Sequence, residues 1–277
     1  MSDADVRPRI SEGEIVEDEI TPSSAATSTA LDPDELLRTA ADPALTEDLA
    51  LSLLKRPDLH PQVLERLAKN AGVLKSRKVK IALASHPRTP RHVSVPLARQ
   101  FYTFDLMKLA LSPGAPADVK VAVDDILIAR LETVTTGERL TLARRASGRV
   151  AAALLLDGEK AHVPVIEGQI ADGKTQNPQT RIMQTALGNP RLTEALVISS
   201  VLRADASTAL VHAVARHAKW SPRKEIRAAL LRTKHLSLAR ALEFSSEIPA
   251  AVLRELLDSS RLPSKIKEQL LRESEKP

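Results

Sequence analysis

The 277-residue chain carries 40 Lys and Arg against 35 Asp and Glu, a formal charge of +5, with 43% apolar residues, 2% aromatic residues and no cysteine. The lack of cysteine excludes disulfides, thiolate metal sites and cysteine nucleophiles. The longest uninterrupted apolar run, 150–156, falls far short of the ~20 residues a membrane-crossing helix needs.

Residues 1–33, rich in Ser, Thr, Pro, Asp and Glu, read as a disordered acidic tail, because they bury too little to offset their ordering entropy. Ten acids fall in residues 1–35 against Arg7 and Arg9, a balance of −8, which leaves 38 Lys and Arg against 25 Asp and Glu, or +13, on the rest. Ile10, Ile15, Val16 and Ile20 among these acids have the spacing of a short docking motif, set against the plainer reading of a solvated tail. The start, Met1-Ser2-Asp3-Ala4-Asp5, has no apolar core of signal-peptide length, so the expectation is a soluble, cytoplasmic protein.

From residue 34 a turn followed by a short apolar helix keeps returning. It reads Asp42-Pro43-Ala44-Leu45-Thr46, Arg56-Pro57-Asp58-Leu59-His60, His86-Pro87-Arg88-Thr89-Pro90, Ser112-Pro113-Gly114-Ala115-Pro116 and Asn189-Pro190-Arg191-Leu192-Thr193. Looser copies are Thr233-Lys234-His235-Leu236-Ser237 and Ser259-Ser260-Arg261-Leu262-Pro263. The polar residues cap helix N–H groups and proline closes one helix or opens the next, with Thr89-Pro90 and Ser221-Pro222 fitting cap-then-proline. Between the turns, apolar residues recur with helical period, as at Val63, Leu64, Leu67 and Ala68, at Leu210, Val211, Val214 and Ala215, and at Ile248, Val252, Leu253, Leu256 and Leu257. Pro96 should kink or split its helix, and Asp124-Asp125 should mark the wet face of the helix over 119–131. Strand-like alternation is scarce, so the class is all-α. The repetition predicts a right-handed superhelical array of short helical repeats, an α-solenoid. The glycines and prolines of 157–180 suggest a loop or insertion between two sub-arrays, 34–156 and 181–274.

One segment carries a chemical motif. Gly168-Gln169-Ile170-Ala171-Asp172-Gly173-Lys174-Thr175 matches the phosphate-cradling pattern GxxxxGK[ST]. That loop works only between a strand and a helix of a parallel sheet. Pro178 follows four residues after Lys174 and no βα units surround it, so it reads as a glycine-rich loop. The seven histidines include no HExxH and no i,i+4 pair, which favours turn and surface roles over metal binding. No nucleophile elbow or dinucleotide fingerprint occurs. The expectation is therefore no enzyme, no cofactor and no metal.

Basic residues gather in three clusters: Lys75, Arg77, Lys78 and Lys80; Arg139, Arg144, Arg145 and Arg149; Lys219, Arg223, Lys224, Arg227, Arg232 and Lys234. Arg223 and Arg227, beside the Ile226/Leu230 stripe, are expected to lay their stems over the core with their heads facing out. On one face such clusters would suit an acidic partner or a phosphate backbone, although scarce aromatics argue against single-strand stacking.

The turn phrases, with Phe101-Tyr102-Thr103-Phe104-Asp105-Leu106 and Gly188-Asn189-Pro190-Arg191-Leu192-Thr193-Glu194, resemble bacterial α-solenoid proteins of the variant leucine-rich repeat or HEAT-like kind. The resemblance covers most of 41–272 and is strongest to a subgroup without assigned activity. It implies an interaction surface with no catalytic residues. The leading expectation is a scaffold that binds a protein partner, of acidic character by charge, along its concave surface. The alternative is a solenoid that binds nucleic acid through its basic surface.

Overall fold

The computed structural model describes residues 32–156 and 177–274. Among them are sixteen α-helices and no strand. The first seven are α1 Pro33–Ala41, α2 Glu47–Leu54, α3 Pro61–Lys69, α4 Arg77–Ser85, α5 Arg91–Ala98, α6 Thr103–Leu111 and α7 Ala117–Arg130. Then come α8 Thr136–Arg145, α9 Gly148–Leu156, α10 Pro178–Leu187, α11 Glu194–Leu202 and α12 Thr208–Arg216. The chain closes with α13 Lys224–Leu231, α14 Leu238–Ser245, α15 Ala250–Asp258 and α16 Ser264–Ser274.

Two kinds of residue start most of these helices. Thr46, Ser76 and Ser207 each accept a hydrogen bond from a first-turn N–H, and Thr135 with Glu138 forms a complete capping box. Elsewhere proline occupies the first turn, as in α1, α3 and α10, or the cap itself, as Pro90, Pro116 and Pro249. The cap-then-proline expectation is corrected at both places. Thr89 turns its hydroxyl back onto the Leu83 carbonyl (2.6 Å), and α13 starts two residues beyond Pro222. Pro96 lies inside α5 without splitting it, its missing N–H costing a single rung.

The fourth residue of each turn phrase, and of the matching turns at 70–73, 203–206 and 217–220, is driven inward. Leu45, Leu59, Val73, Thr89, Ala115, Leu192, Ala206, Trp220, Leu236 and Leu262 are all buried. Leu45, Leu59, Val73 and Thr89 follow at intervals of 14, 14 and 16, and Leu192, Ala206, Trp220 and Leu236 repeat those intervals. The unit is thus one short helix with its turn, and the longer spacings between prolines span two units. Each helix makes its main contacts with the next helix and the next but one, so a single apolar cluster runs from Leu36 to Leu270.

Polar side chains stitch each turn to the one two units earlier. Asn70 Nδ2 donates to the carbonyls of Ala40 (3.2 Å) and Asp42 (2.8 Å), while its Oδ1 accepts from Gly72 N–H. His86 Nε2 lies 2.8 Å from the Arg56 carbonyl and its Nδ1 accepts from Arg88 N–H. Asn189 Nδ2 reaches Ala143 O (2.8 Å) and Ala146 O (3.2 Å), and Ser260 Oγ reaches Leu231 O (2.6 Å). These groups satisfy carbonyls that a helix end leaves without intrahelical donors. The Asn189 bonds tie the end of α10 to the end of α8, and α10 packs on α8 and α9, so the helices on either side of 157–176 touch directly.

Asp124 corrects the reading of the α7 wet face. Of the pair, Asp125 is exposed; Asp124 is buried at 5% relative exposure, near the start of α9. The alternation of edges that follows from the stitching defines two rows of turns. One holds the C-terminal ends of odd-numbered helices, the other those of even-numbered helices.

Candidate interaction surface

The first basic cluster is largely committed to the fold. Arg77 donates from Nε to Asp105 Oδ2 (2.7 Å) and stacks 5.0 Å from the Tyr102 ring centre, satisfying a carboxylate that is only 2% exposed. Lys78 pairs with Glu47 at 3.6 Å, and Lys80 donates to Gln100 Oε1. Lys75 sits in the 3-10 turn Val73–Lys75.

The second and third clusters meet, but only in part. Arg144 and Arg145 project from the end of α8, beside the α10–α11 turn, where Arg191 Nη1 donates to the Arg145 carbonyl (3.2 Å). The next turn in that row, α12–α13, is tied on by Trp220 Nε1, which donates to Leu187 O at 2.8 Å. Lys219 Nζ lies 4.2 Å over the Trp220 ring, and Arg223 lies 5.2 Å over it while pairing with Glu194. One edge therefore brings together Arg144, Arg145, Lys219, Arg223 and Lys224. Arg191 and Arg216 join them, although neither belongs to the clusters read from the sequence; Arg191 is isolated in the chain, whereas Arg216 lies only three residues before Lys219. His217 adds no formal charge to this edge at neutral pH: burial, with the Lys219 charge second, holds it below the usual histidine range.

The other members go elsewhere. Arg139 is at the opposite end of α8, and Arg149 donates to Val121 O (3.1 Å) and Asp125 Oδ1 (2.8 Å). Arg227 departs from the expected outward head. Its side chain is 16% exposed, donates to Ser221 O, pairs with Glu247 at 2.6 Å and lies 5.3 Å over the Phe244 ring. Arg232 and Lys234 lie on the odd-helix edge.

Between α13 and α15 runs a groove of about 540 Å³. Its floor is Phe244, Ile248, Pro249, Val252 and Leu256, with Lys224 at one mouth and Arg232 and Ser259 at the other. Val252 is 52% exposed, although its stripe partners Leu253 and Leu257 are fully in the core. Sequence period alone placed Val252 with them. It misses the core because α15 turns that flank toward a gap that no other helix among the described residues fills. Arg227 with Glu247 forms one wall, and Glu225 and Glu255 complete a rim of mixed charge.

Among the described residues no group of three or more His, Cys, Asp or Glu is placed to hold a metal. His60 caps α3, and His86 and His217 each accept a turn N–H. The GxxxxGK[ST] match at 168–175 and the aliphatic residues of the acidic tail lie outside the described residues.

The chain matches no known protein family, no curated protein and no solved structure in comparison with each. Its architecture and surface chemistry carry the functional reading on their own.

Proposed function

We propose that the chain is a non-enzymatic scaffold, a right-handed superhelical α-solenoid of the variant leucine-rich or HEAT-like kind, that holds a protein partner along its concave face. In this reading it works in the cytoplasm without a cofactor. The observation that supports it most is the α13–α15 groove. Apolar surface that folding leaves uncovered, between walls of mixed charge, suits a protein segment better than a phosphate backbone. No helix among the described residues is long and apolar enough to cross a membrane, so lipid has no claim on that surface as a spanning segment.

The test replaces Val252 by Asp, which puts a charge on the groove floor at a position already open to water. Val121→Asp, on α7 and 45% exposed, serves as the control. Partners captured by crosslinking to wild type should fall about tenfold or more with Val252→Asp and persist with Val121→Asp. The same set of partners on all three chains overturns the groove as the site.

The basic edge favours a second reading, binding of nucleic acid. Arg144, Arg145, Arg191, Arg216, Lys219 and Lys224 form a row in which Glu194 is already paired with Arg223. Binding to duplex DNA through such a row would weaken steeply with salt, with a log–log slope of roughly −0.9 per phosphate contacted. A slope near zero, or no binding at low salt, excludes this reading.

A further inference from the structure

At its Arg232 mouth the groove meets a second, smaller cavity of about 180 Å³, and Arg232 and Ser259 line both. The small cavity is built from the ends of α11, α13 and α15. The last two turns are bonded together: Arg261 N–H donates to the Arg232 carbonyl at 3.1 Å, and Ser260 Oγ to Leu231 O. Each of the three turns presents an arginine: Arg203 and Arg232 are the C-caps of α11 and α13, and Arg261 lies two residues beyond the C-cap of α15. Lys234 and His235 also line the cavity, and no carboxylate does. Asp205, two residues from Arg203, is taken up by that guanidinium through Nε (2.9 Å) and Nη2 (3.0 Å). Among the described residues Arg232, Lys234 and Arg261 have no ion-pair partner.

A helix C-terminus carries a partial charge of about −0.5, and basic residues close other helices of this edge too, as Arg38, Lys69, Arg99 and Arg130 do. What sets these three turns apart is that their basic side chains line one cavity. Three arginines and a lysine with one local acid repel one another until an anion joins them. The volume holds several waters or one tetrahedral oxyanion. Guanidinium forks match phosphate oxygens in geometry as well as charge.

We propose that this cavity binds a phosphate monoester dianion, and that the phosphate is a phosphorylated serine or threonine of the partner segment lying in the adjoining groove. The proposal rests on the scaffold reading above. Adjacency decides the source. A small phosphorylated molecule needs only the cavity, whereas a phosphorylated segment uses the shared Arg232 wall and continues over Val252 and Ile248. From Lys224 to Arg232 the groove runs about 12 Å along α13. That length spans about four extended residues, so the apolar anchors fall within four positions of the phosphate.

The experiment uses the full chain in two arms. In the first, inorganic phosphate is titrated calorimetrically, in low-salt buffer of matched chloride, into wild type, an Arg232→Ala/Arg261→Ala chain and an Arg144→Ala/Arg145→Ala control, with circular dichroism checking the helix content of each. Saturable binding that weakens tenfold or more in the first variant and is unchanged in the control supports the cavity. No saturable binding, or equal loss in the control, overturns it. In the second arm, a phosphoserine-centred peptide library with randomised flanks is selected on wild type and on Val252→Asp. Enrichment of apolar residues within four positions, lost with Val252→Asp and absent from the unphosphorylated library, supports the partner as the source. Phosphate binding without apolar selection overturns that source and leaves a small phosphorylated molecule. Inorganic phosphate binding survives Val252→Asp in either case, so failure of the groove and failure of the cavity read out separately.

Discussion

Asp124 is a carboxylate in the wrong solvent. It is buried against the start of α9, and one of its oxygens finds no hydrogen-bond partner. Burial raises its pKa above the ordinary 3.8, and the Ser147 hydrogen bond and the Arg149 charge only partly oppose that rise. A raised folded-state pKa stabilises the protein while the group is protonated, and that contribution is lost as pH climbs through the folded value. Asp124→Asn removes the charge and keeps the shape. It should raise the urea midpoint at pH 7–8, equivalent to about 1 kcal/mol, with the gain shrinking to nothing as pH falls below the ordinary aspartate range. Midpoints measured from pH 3 to 8 check this; a gain that does not vary with pH, or a loss at pH 8, refutes the account.

At the scale of the element, the turn decides the fold, and much of it was legible. Capping side chains and prolines mark helix starts, and the inward fourth residue sits in every copy of the phrase. What sequence did not show was the second duty of the first residue in the phrase. Asn70, His86 and Asn189 reach carbonyls 28 to 46 positions back, and only the stacked structure brings those carbonyls near. The candidate site was less legible for the same reason. Arg232 and Arg261 are 29 residues apart and become neighbours only when α13 and α15 stack, and Arg227 lost its outward role to Glu247 and Phe244. Close stacking also explains Gly148, the first residue of α9. A Cβ there would sit 2.3 Å from the Arg191 carbonyl oxygen and 3.0 Å from Leu196 Cδ1, whereas one at Gly137 in α8 would meet nothing within 4 Å. Gly148→Ala should cost ~1–3 kcal/mol by pushing the α10–α11 turn away. Gly137→Ala should be neutral or stabilise by up to ~1 kcal/mol through helix propensity. Paired denaturant titrations decide it, and equal effects would show that the α9 contact is loose.

For the whole molecule, the question is whether the helices before and after 157–176 act as one body. Their junction is specific. Asn189, 1% exposed, bonds to two carbonyls at the end of α8, Arg191 reaches Arg145 O, Gly148 lies against the Arg191 backbone, and α10 packs on both α8 and α9. None of these contacts depends on the covalent link between α9 and α10. A protease site placed within 157–176 and then cut should therefore leave two fragments that co-elute as one particle of about the original size. Cutting does remove the tether, which holds its ends at an effective concentration in the millimolar range. The thermal midpoint of the cut protein should accordingly depend on concentration, where that of the intact chain does not. Asn189→Ala sharpens the test. It leaves two buried carbonyls without their donor, a cost of about 2–4 kcal/mol, which lowers the midpoint of the intact chain but separates the cut fragments at micromolar concentration. Fragments that part on cleavage without the substitution would mean that the chain holds two independent helical units, and that the basic edge joining α8 to α12 is not a continuous surface.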